Sequence, residues 1–349
     1  MATTTAGTPA QLIARSRAVR QARSVLVITI VGIALFATFC VSLSLGDYKI
    51  PVIDVVKTLF GQGDKATEFI VNQLRLPRAL TGILVGAALG LSGAIFQSIA
   101  RNPLASPDII GVTYGASAFA VFAIVTLGLT GAAVSGLAIA GALITAFSMY
   151  ILAWRRGVSS YRLILVGIGI GAIAMSVTSY LLTKARVEIA QQALVWLTGS
   201  LNGVDWSEVR ALTIALVLLT PLMVLLVHRL RILQLGDETA YGLGLRVERS
   251  RLGLIVIAVL LAAVATAAAG PIGFVAFVAP PIARWVTRSP GPAMIASALI
   301  GALVVALSDL LAQHALGDTQ LPVGVVTGVV GAPYLMFLLA RANRVGSGG

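Results

Sequence analysis

Carboxylates, histidines and cysteines are scarce in this chain: 13 Asp and Glu, two His and one Cys occur among 349 residues. The lone Cys40 excludes an intrachain disulfide, and its place inside an apolar run makes it a small packing residue rather than a reactive thiol. His228 and His314 stand far apart, and neither an H-E-x-x-H pattern nor a paired carboxylate cluster occurs, so nothing in the chain looks catalytic and no metal site is expected. None of the four lysines, Lys49, Lys57, Lys65 and Lys184, follows a glycine. The chain therefore has no Gly-Lys phosphate loop, and if ATP is the fuel another subunit must hydrolyse it. Acids inside apolar runs are equally rare, with Asp309, toward an outer end, the nearest to one, which weakens a proton- or ion-coupled carrier.

What is abundant is apolar surface. Hydrophobic residues make up 58% of the chain, charged ones only 11%, and the mean hydropathy is +0.97, too little polar surface to cover a soluble globule. Ten runs are candidate membrane spans: 24–45, 79–99, 108–128, 132–153, 161–183, 209–228, 252–270, 272–287, 291–312 and 322–340. Most approach the roughly 20 residues that a helix needs to cross a hydrocarbon core; the run 272–287 is short and carries Pro280, Pro281 and Arg284. A cleaved signal peptide at the amino terminus is disfavoured, because Val25–Leu45 is long enough to span and no A-x-A-like site follows a shorter core.

The net charge of +12 does not point to nucleic acid, because it is distributed by side. With the amino terminus in the cytoplasm, seventeen of the 25 basic residues fall on the inner side, which supports both termini inside and an even number of spans. Arg75 and Arg78 are among the exceptions. We read one domain at 24–342, preceded by a basic leader at 1–23 and followed by a tail at 343–349. The segment 188–206 predicts a short helix at the outer surface, with Trp196 and Trp206 at belt positions.

Gly82, Gly86 and Gly90 recur every fourth residue and line one helix face, which lets a neighbouring backbone approach. Gly167, Gly169 and Gly171 lack the G-x-G-x-x-G spacing and a preceding strand, so they belong to packing as well. Between two apolar runs lies a charged block at 229–251. Gly236 leaves the preceding helix, Asp237 and Glu238 suit the positive end of a new one, and Gly242 and Gly244 offer places to end it. A charge run alone is usually a solvated loop; the glycine spacing offers a short surface helix as the alternative.

Several motifs occur in an order that resembles the FecCD/BtuC-type permease subunits of bacterial ABC importers, from about residue 30 to 342. They are LRLPR at 74–78, RNPLASPDIIGVTYGAS at 101–117, WLTGSLNG at 196–203, LGDETAYGLG at 235–244, GPIGFVAFVAPPIAR at 270–284 and LPVGVVTGVVGAPY at 321–334. The resemblance implies an all-α integral membrane protein of ten transmembrane helices with the BtuC-like type II importer fold. Its second to fifth and seventh to tenth helices would be related by pseudo-symmetry. The implied partners are a second permease subunit, with a heterodimer favoured over a homodimer, two cytoplasmic ATPase subunits that carry ATP and Mg, an extracytoplasmic binding protein and membrane lipid, but no nucleic acid.

By the same resemblance, Leu235, Gly236, Asp237, Glu238, Thr239 and Ala240 form the helix that docks in the ATPase, with Asp237 and Glu238 as its main contacts. Arg75 and Arg78 pair with glutamates of the binding protein. Where relatives carry D-x-x-A-R this chain has Asp309, Gln313 and then His314, so Gln313 and His314 would replace a third cation by hydrogen bonding. Asn102, Leu104, Ser159 and Ser160 form the cytoplasmic gate. Pro281, where cobalamin-type relatives have His, and WLTGSLNG favour ferric siderophore over cobalamin or haem as cargo. The iron would stay inside its chelator, because the chain offers no cluster of hard ligands.

Overall fold

The computed structural model describes residues 9–46, 48–155, 157–315 and 319–346. Among them the only regular structure is helical: α1 Pro9–Ser44, α2 Val52–Leu59, α3 Lys65–Phe69, α4 Leu76–Ala100, α5 Val112–Val125, α6 Ala132–Ala153, α7 Ser160–Lys184, α8 Val187–Leu197, α9 Trp206–Leu233, α10 Asp237–Gly242, α11 Val247–Ala269, α12 Val275–Thr287, α13 Met294–His314 and α14 Val323–Gly346. A π-helical stretch, Ile70–Arg75, joins α3 to α4 without a break. Seven helical stretches among the described residues are long and apolar enough to cross a membrane, and α5, α12 and Val323–Phe337 of α14 are shorter apolar helices. The ten expected spans thus correspond to ten helices, and the protein is a multi-pass membrane protein. The basic leader is not a separate element: Arg15, Arg17, Arg20 and Arg23 lie on the same helix as the first span, and Arg23 Nε donates to Val286 O at the end of α12.

Helix α4 lies at the centre, packed on α9, α11, α12 and α13. Its glycines explain how. A Cβ on Gly86 would sit 2.3 Å from Gly301 O, and one on Gly90 2.2 Å from Ser297 O, both in α13; one on Gly93 would sit 1.8 Å from Ala276 O in α12. The backbones touch, so dispersion between main chains replaces the hydrophobic drive that lipid does not supply. Of the second glycine group, Gly167 and Gly171 meet Ile110 and Gly111, whereas Gly169 faces open space.

Helices α5 and α12 are short because the chain reaches each of them through irregular backbone. Residues 101–111 contain Pro103 and Pro107 and end at Gly111 with φ +86°, and residues 270–274 begin at Gly270 with φ +68°. Non-helical backbone at membrane depth is tolerated only when protein satisfies it. Here the N–H of Ser200 donates to Ala269 O at 2.8 Å and that of Gly324 to Gly199 O at 3.0 Å, so the 198–204 loop covers the break after α11.

Inside α12, Pro281 has no N–H to offer the carbonyl of Phe277, four residues back. The Nε2 of Gln97, from α4, donates to Phe277 O at 3.0 Å instead, while its Oε1 accepts from Arg284 Nη2 at 2.6 Å. Gln97 is buried. Replacing Gln97 by Leu should strand that carbonyl and cost about 1–3 kcal/mol, read as a lower melting temperature in detergent. An unchanged melting temperature would show that Phe277 O is satisfied by another donor.

Candidate functional site

Polar side chains gather at the two ends of the bundle. At one end, the π-helical turn carries Arg75 to its last position, and Arg78 follows one turn into α4. The Arg75 guanidinium donates to the carbonyls of Leu43 at 2.8 Å, Ser44 at 3.2 Å and Tyr48, closing the turn that leaves α1. Gly46 lies directly beneath it, where a Cβ would come within 2.5 Å of Nη2.

Arg78 forms a forked pair with Asp309 of α13: Nε lies 3.1 Å from both carboxylate oxygens and Nη2 2.8 Å from Oδ1. The side chains are 15% and 6% exposed. Gln313 Nε2 donates to Asp309 Oδ2 at 2.7 Å, and Gln320 Oε1 accepts from Arg78 Nη1 at 3.2 Å. His314 Nδ1 lies 2.9 Å from Leu310 O, one turn back on its own helix. All four residues expected to dock a partner, Arg75, Arg78, Gln313 and His314, line one cleft of about 500 Å³ together with Tyr48, Asn202 and Gln320. The sequence reading left the two arginines facing outward; the structure gives both of them intramolecular partners as well.

At the other end, α10 forms where the charged block predicted it. Gly236 precedes it with φ +106°, and Asp237 and Glu238 lie in its first turn. Leu235 and Gly236 lie just before the helix rather than in it. Leu235, Glu238 and Thr239 are exposed, as are Tyr241 and Leu243, whereas Ala240 is fully buried. The exposed surface of α10 and its flanks therefore joins the apolar Leu235 and Leu243 to Thr239, Tyr241 and the carboxylate of Glu238. Asp237, beside Glu238, is 38% exposed and also pairs within the chain, with Oδ2 2.7 Å from Arg251 Nη2 and Oδ1 3.8 Å from Arg101 Nη2.

The two expected gate segments also meet at this end. Ser159 caps α7, accepting from Arg162 N at 3.4 Å and from Arg162 Nε at 3.0 Å. Ser160 Oγ donates to Ile99 O at 3.1 Å, in the last turn of α4. Asn102 follows directly and folds the turn upon itself, its Oδ1 accepting from Leu104 N at 2.9 Å. Arg251 of α11, Glu248 and Val158 complete the cluster: Arg251 Nη1 donates to Val158 O and, at 3.1 Å, to Glu248 Oε1, and Val158 N donates to Glu248 Oε2 at 3.4 Å.

Two residues escaped the sequence reading. Arg251 was counted only as an inner-side charge, yet it is 3% exposed. Asp108, the first residue of the expected span 108–128, lies between α4 and α5 and accepts from Thr113 Oγ1 at 2.7 Å. It, as well as Asp309, is an acid carried into the bundle, with Oδ2 buried. Among the described residues no three His, Cys, Asp or Glu side chains are grouped to hold a metal ion.

The model of the FecCD transport family matches residues 33–341. The ferric enterobactin transport system permease protein FepG of Escherichia coli (strain K12) is 42% identical over 299 residues, covering 86% of this chain and 91% of that protein. The iron(3+)-hydroxamate import system permease protein FhuG of Bacillus subtilis (strain 168) is 38% identical over 330 residues, covering 92% and 98%. Among solved structures, a metal-chelate type ABC transporter in an inward-facing conformation matches with a TM-score of 0.80 at 28% identity, covering 90% of this chain and 98% of that one.

Removing one member of the Arg78–Asp309 pair leaves a buried charge uncompensated. Arg78→Ala should cost about 3–5 kcal/mol, and the exchange of Arg78→Asp with Asp309→Arg should recover most of that loss. Thermal unfolding of the three proteins in detergent decides it; a stable Arg78→Ala protein would refute the pair's structural role.

Proposed function

Because this chain belongs to the FecCD transport family, we propose that it is the permease subunit of an ATP-driven importer that moves ferric siderophore across the cytoplasmic membrane, with both termini in the cytoplasm. It works with a second, similar permease subunit in a heterodimer, two ATPase subunits that bind ATP and Mg, and an extracytoplasmic siderophore-binding protein. It is a transport subunit, not an enzyme. The observation that carries this reading is the pairing, in one chain of this family, of a cleft lined by Arg75, Arg78, Gln313 and His314 at one end with the exposed helix α10 at the other.

In this reading the permease domain spans 24–342, and the cleft receives the binding protein, its guanidinium edges steering acidic side chains of the partner and weakening with salt. Residues 235–240 enter a cleft of the ATPase, where Leu235, Thr239 and Tyr241 supply apolar contact and Glu238 supplies charge; Asp237 fixes α10 to the rest of the permease. Asn102, Leu104, Ser159 and Ser160 form the inner gate, which the contact of Ser160 with Ile99 supports. Siderophore cargo is supported by the relatives named for ferric enterobactin and iron(3+)-hydroxamate transport.

The substrate is tested by uptake of radiolabelled iron into cells lacking the gene, with and without its restoration, across a panel of siderophores and with labelled cobalamin alongside. Uptake of one ferric chelate should fall and return on restoration; loss of cobalamin uptake alone would overturn the iron assignment. For the ATPase contact, Glu238→Arg in the reconstituted complex should uncouple hydrolysis from delivery of loaded binding protein. Unchanged stimulated hydrolysis would remove Glu238 from that interface.

A further inference from the structure

We propose that Arg251 is the positioning residue through which displacement of α10 is transmitted to the loop between α6 and α7; the proposal rests on the importer reading above. An arginine at the end of a membrane helix normally reaches for water with its charged head. Arg251 does the opposite. It is 3% exposed, and its guanidinium is committed to three separate pieces of the chain. Nη2 holds Asp237 in the first turn of α10 at 2.7 Å, and Nη1 holds Glu248 on its own helix at 3.1 Å and the carbonyl of Val158 in the α6–α7 loop.

Val158 is gripped on both sides of its backbone, because its N–H also donates to Glu248 Oε2 at 3.4 Å. The next two residues are Ser159, which caps α7, and Ser160, which is bonded to the end of α4. One planar group thus stands between the helix offered to the ATPase and the two serines offered as gate.

The backbone joining α10 to its neighbours is poorly suited to that task. Gly236 before α10 has φ +106° and Gly244 after it φ +79°, conformations that glycine adopts without penalty, and both junctions are short and sharply turned. The stiff connection is the side chain. Charges within the group balance, with Arg251 and Arg101 facing Asp237 and Glu248, so the contact can be buried without a net charge. Lysine carries the same charge as a single point and lacks the fork that lets arginine bind two acceptors in fixed relation. Charge and connection can therefore be separated by substitution.

The test uses the complete complex in proteoliposomes, with its ATPase, its binding protein and a ferric siderophore that supports uptake. Two quantities are read for Arg251→Lys and Asp237→Asn: iron transported per ATP hydrolysed, and thiol labelling of Ser160→Cys, in a Cys40→Ser background, with and without nucleotide. Transport per ATP should fall roughly tenfold, the size of an ordinary coupling free energy between sites. Labelling should cease to follow nucleotide, and the double variant should be no worse than either single one, because both break the same link. A lower melting temperature with transport per ATP and nucleotide-dependent labelling intact would reduce Arg251 to a structural clamp and overturn the proposal, as would additive effects of the two substitutions. If Arg251→Lys does not assemble, Asp237→Asn, on the half-exposed partner, decides by the same readings. Absence of ATP-driven uptake in the unsubstituted complex would instead remove the importer reading on which the proposal stands.

Discussion

A chain in lipid must satisfy every backbone N–H and C=O without water, and most of this structure follows from how that requirement is met where helices are broken. Helices α5 and α12 begin inside the bundle, so the residues ahead of them need partners that a continuous helix would have supplied. Loop 198–204 supplies one through Ser200, and the side chain of Gln97 supplies another within α12. These substitutes come from α4 and from the loop after α8, which draws the broken helices against the centre of the bundle. Close backbone contact along the glycine face of α4 then becomes possible, since Gly86, Gly90 and Gly93 leave room for the carbonyls of α13 and α12.

Helix α4 consequently reaches both polar ends. It begins with the Arg78–Asp309 pair, and its last turn accepts the hydroxyl of Ser160. A shift of α4 along its length would disturb the cleft and the contact with Ser160 together, and its seam with α13 leaves little slack to absorb such a shift. This gives the two ends a common mechanical element, separate from the side-chain route through Arg251.

Much of this architecture was legible in the residues. Hydropathy and length gave the spans, Gly82, Gly86 and Gly90 gave the contact face of α4, and Gly236 with Asp237 and Glu238 gave the start of α10. Residues 108–128 and 272–287 read as spans but form helices only from Val112 and Val275, because hydropathy registers apolar content and is blind to whether the backbone is helical. The leader read as separate because charge changes at residue 23, while helix continuity does not. Long-range pairing was the least accessible. Nothing local marks that Arg78 meets a carboxylate 231 residues away, or that Asp237 pairs with Arg251 while Glu238 stands exposed, since both depend on where Arg251 and α13 fall in three dimensions.

The bond from Gln97 to Phe277 makes two distant positions answer to each other. A residue with its own N–H at position 281 would compete with Gln97 for the carbonyl of Phe277 and so weaken the tie between α4 and α12 that the proline leaves open. What is tolerated at 97 therefore depends on what stands at 281, and a change at either one is judged by the protein as half of a change.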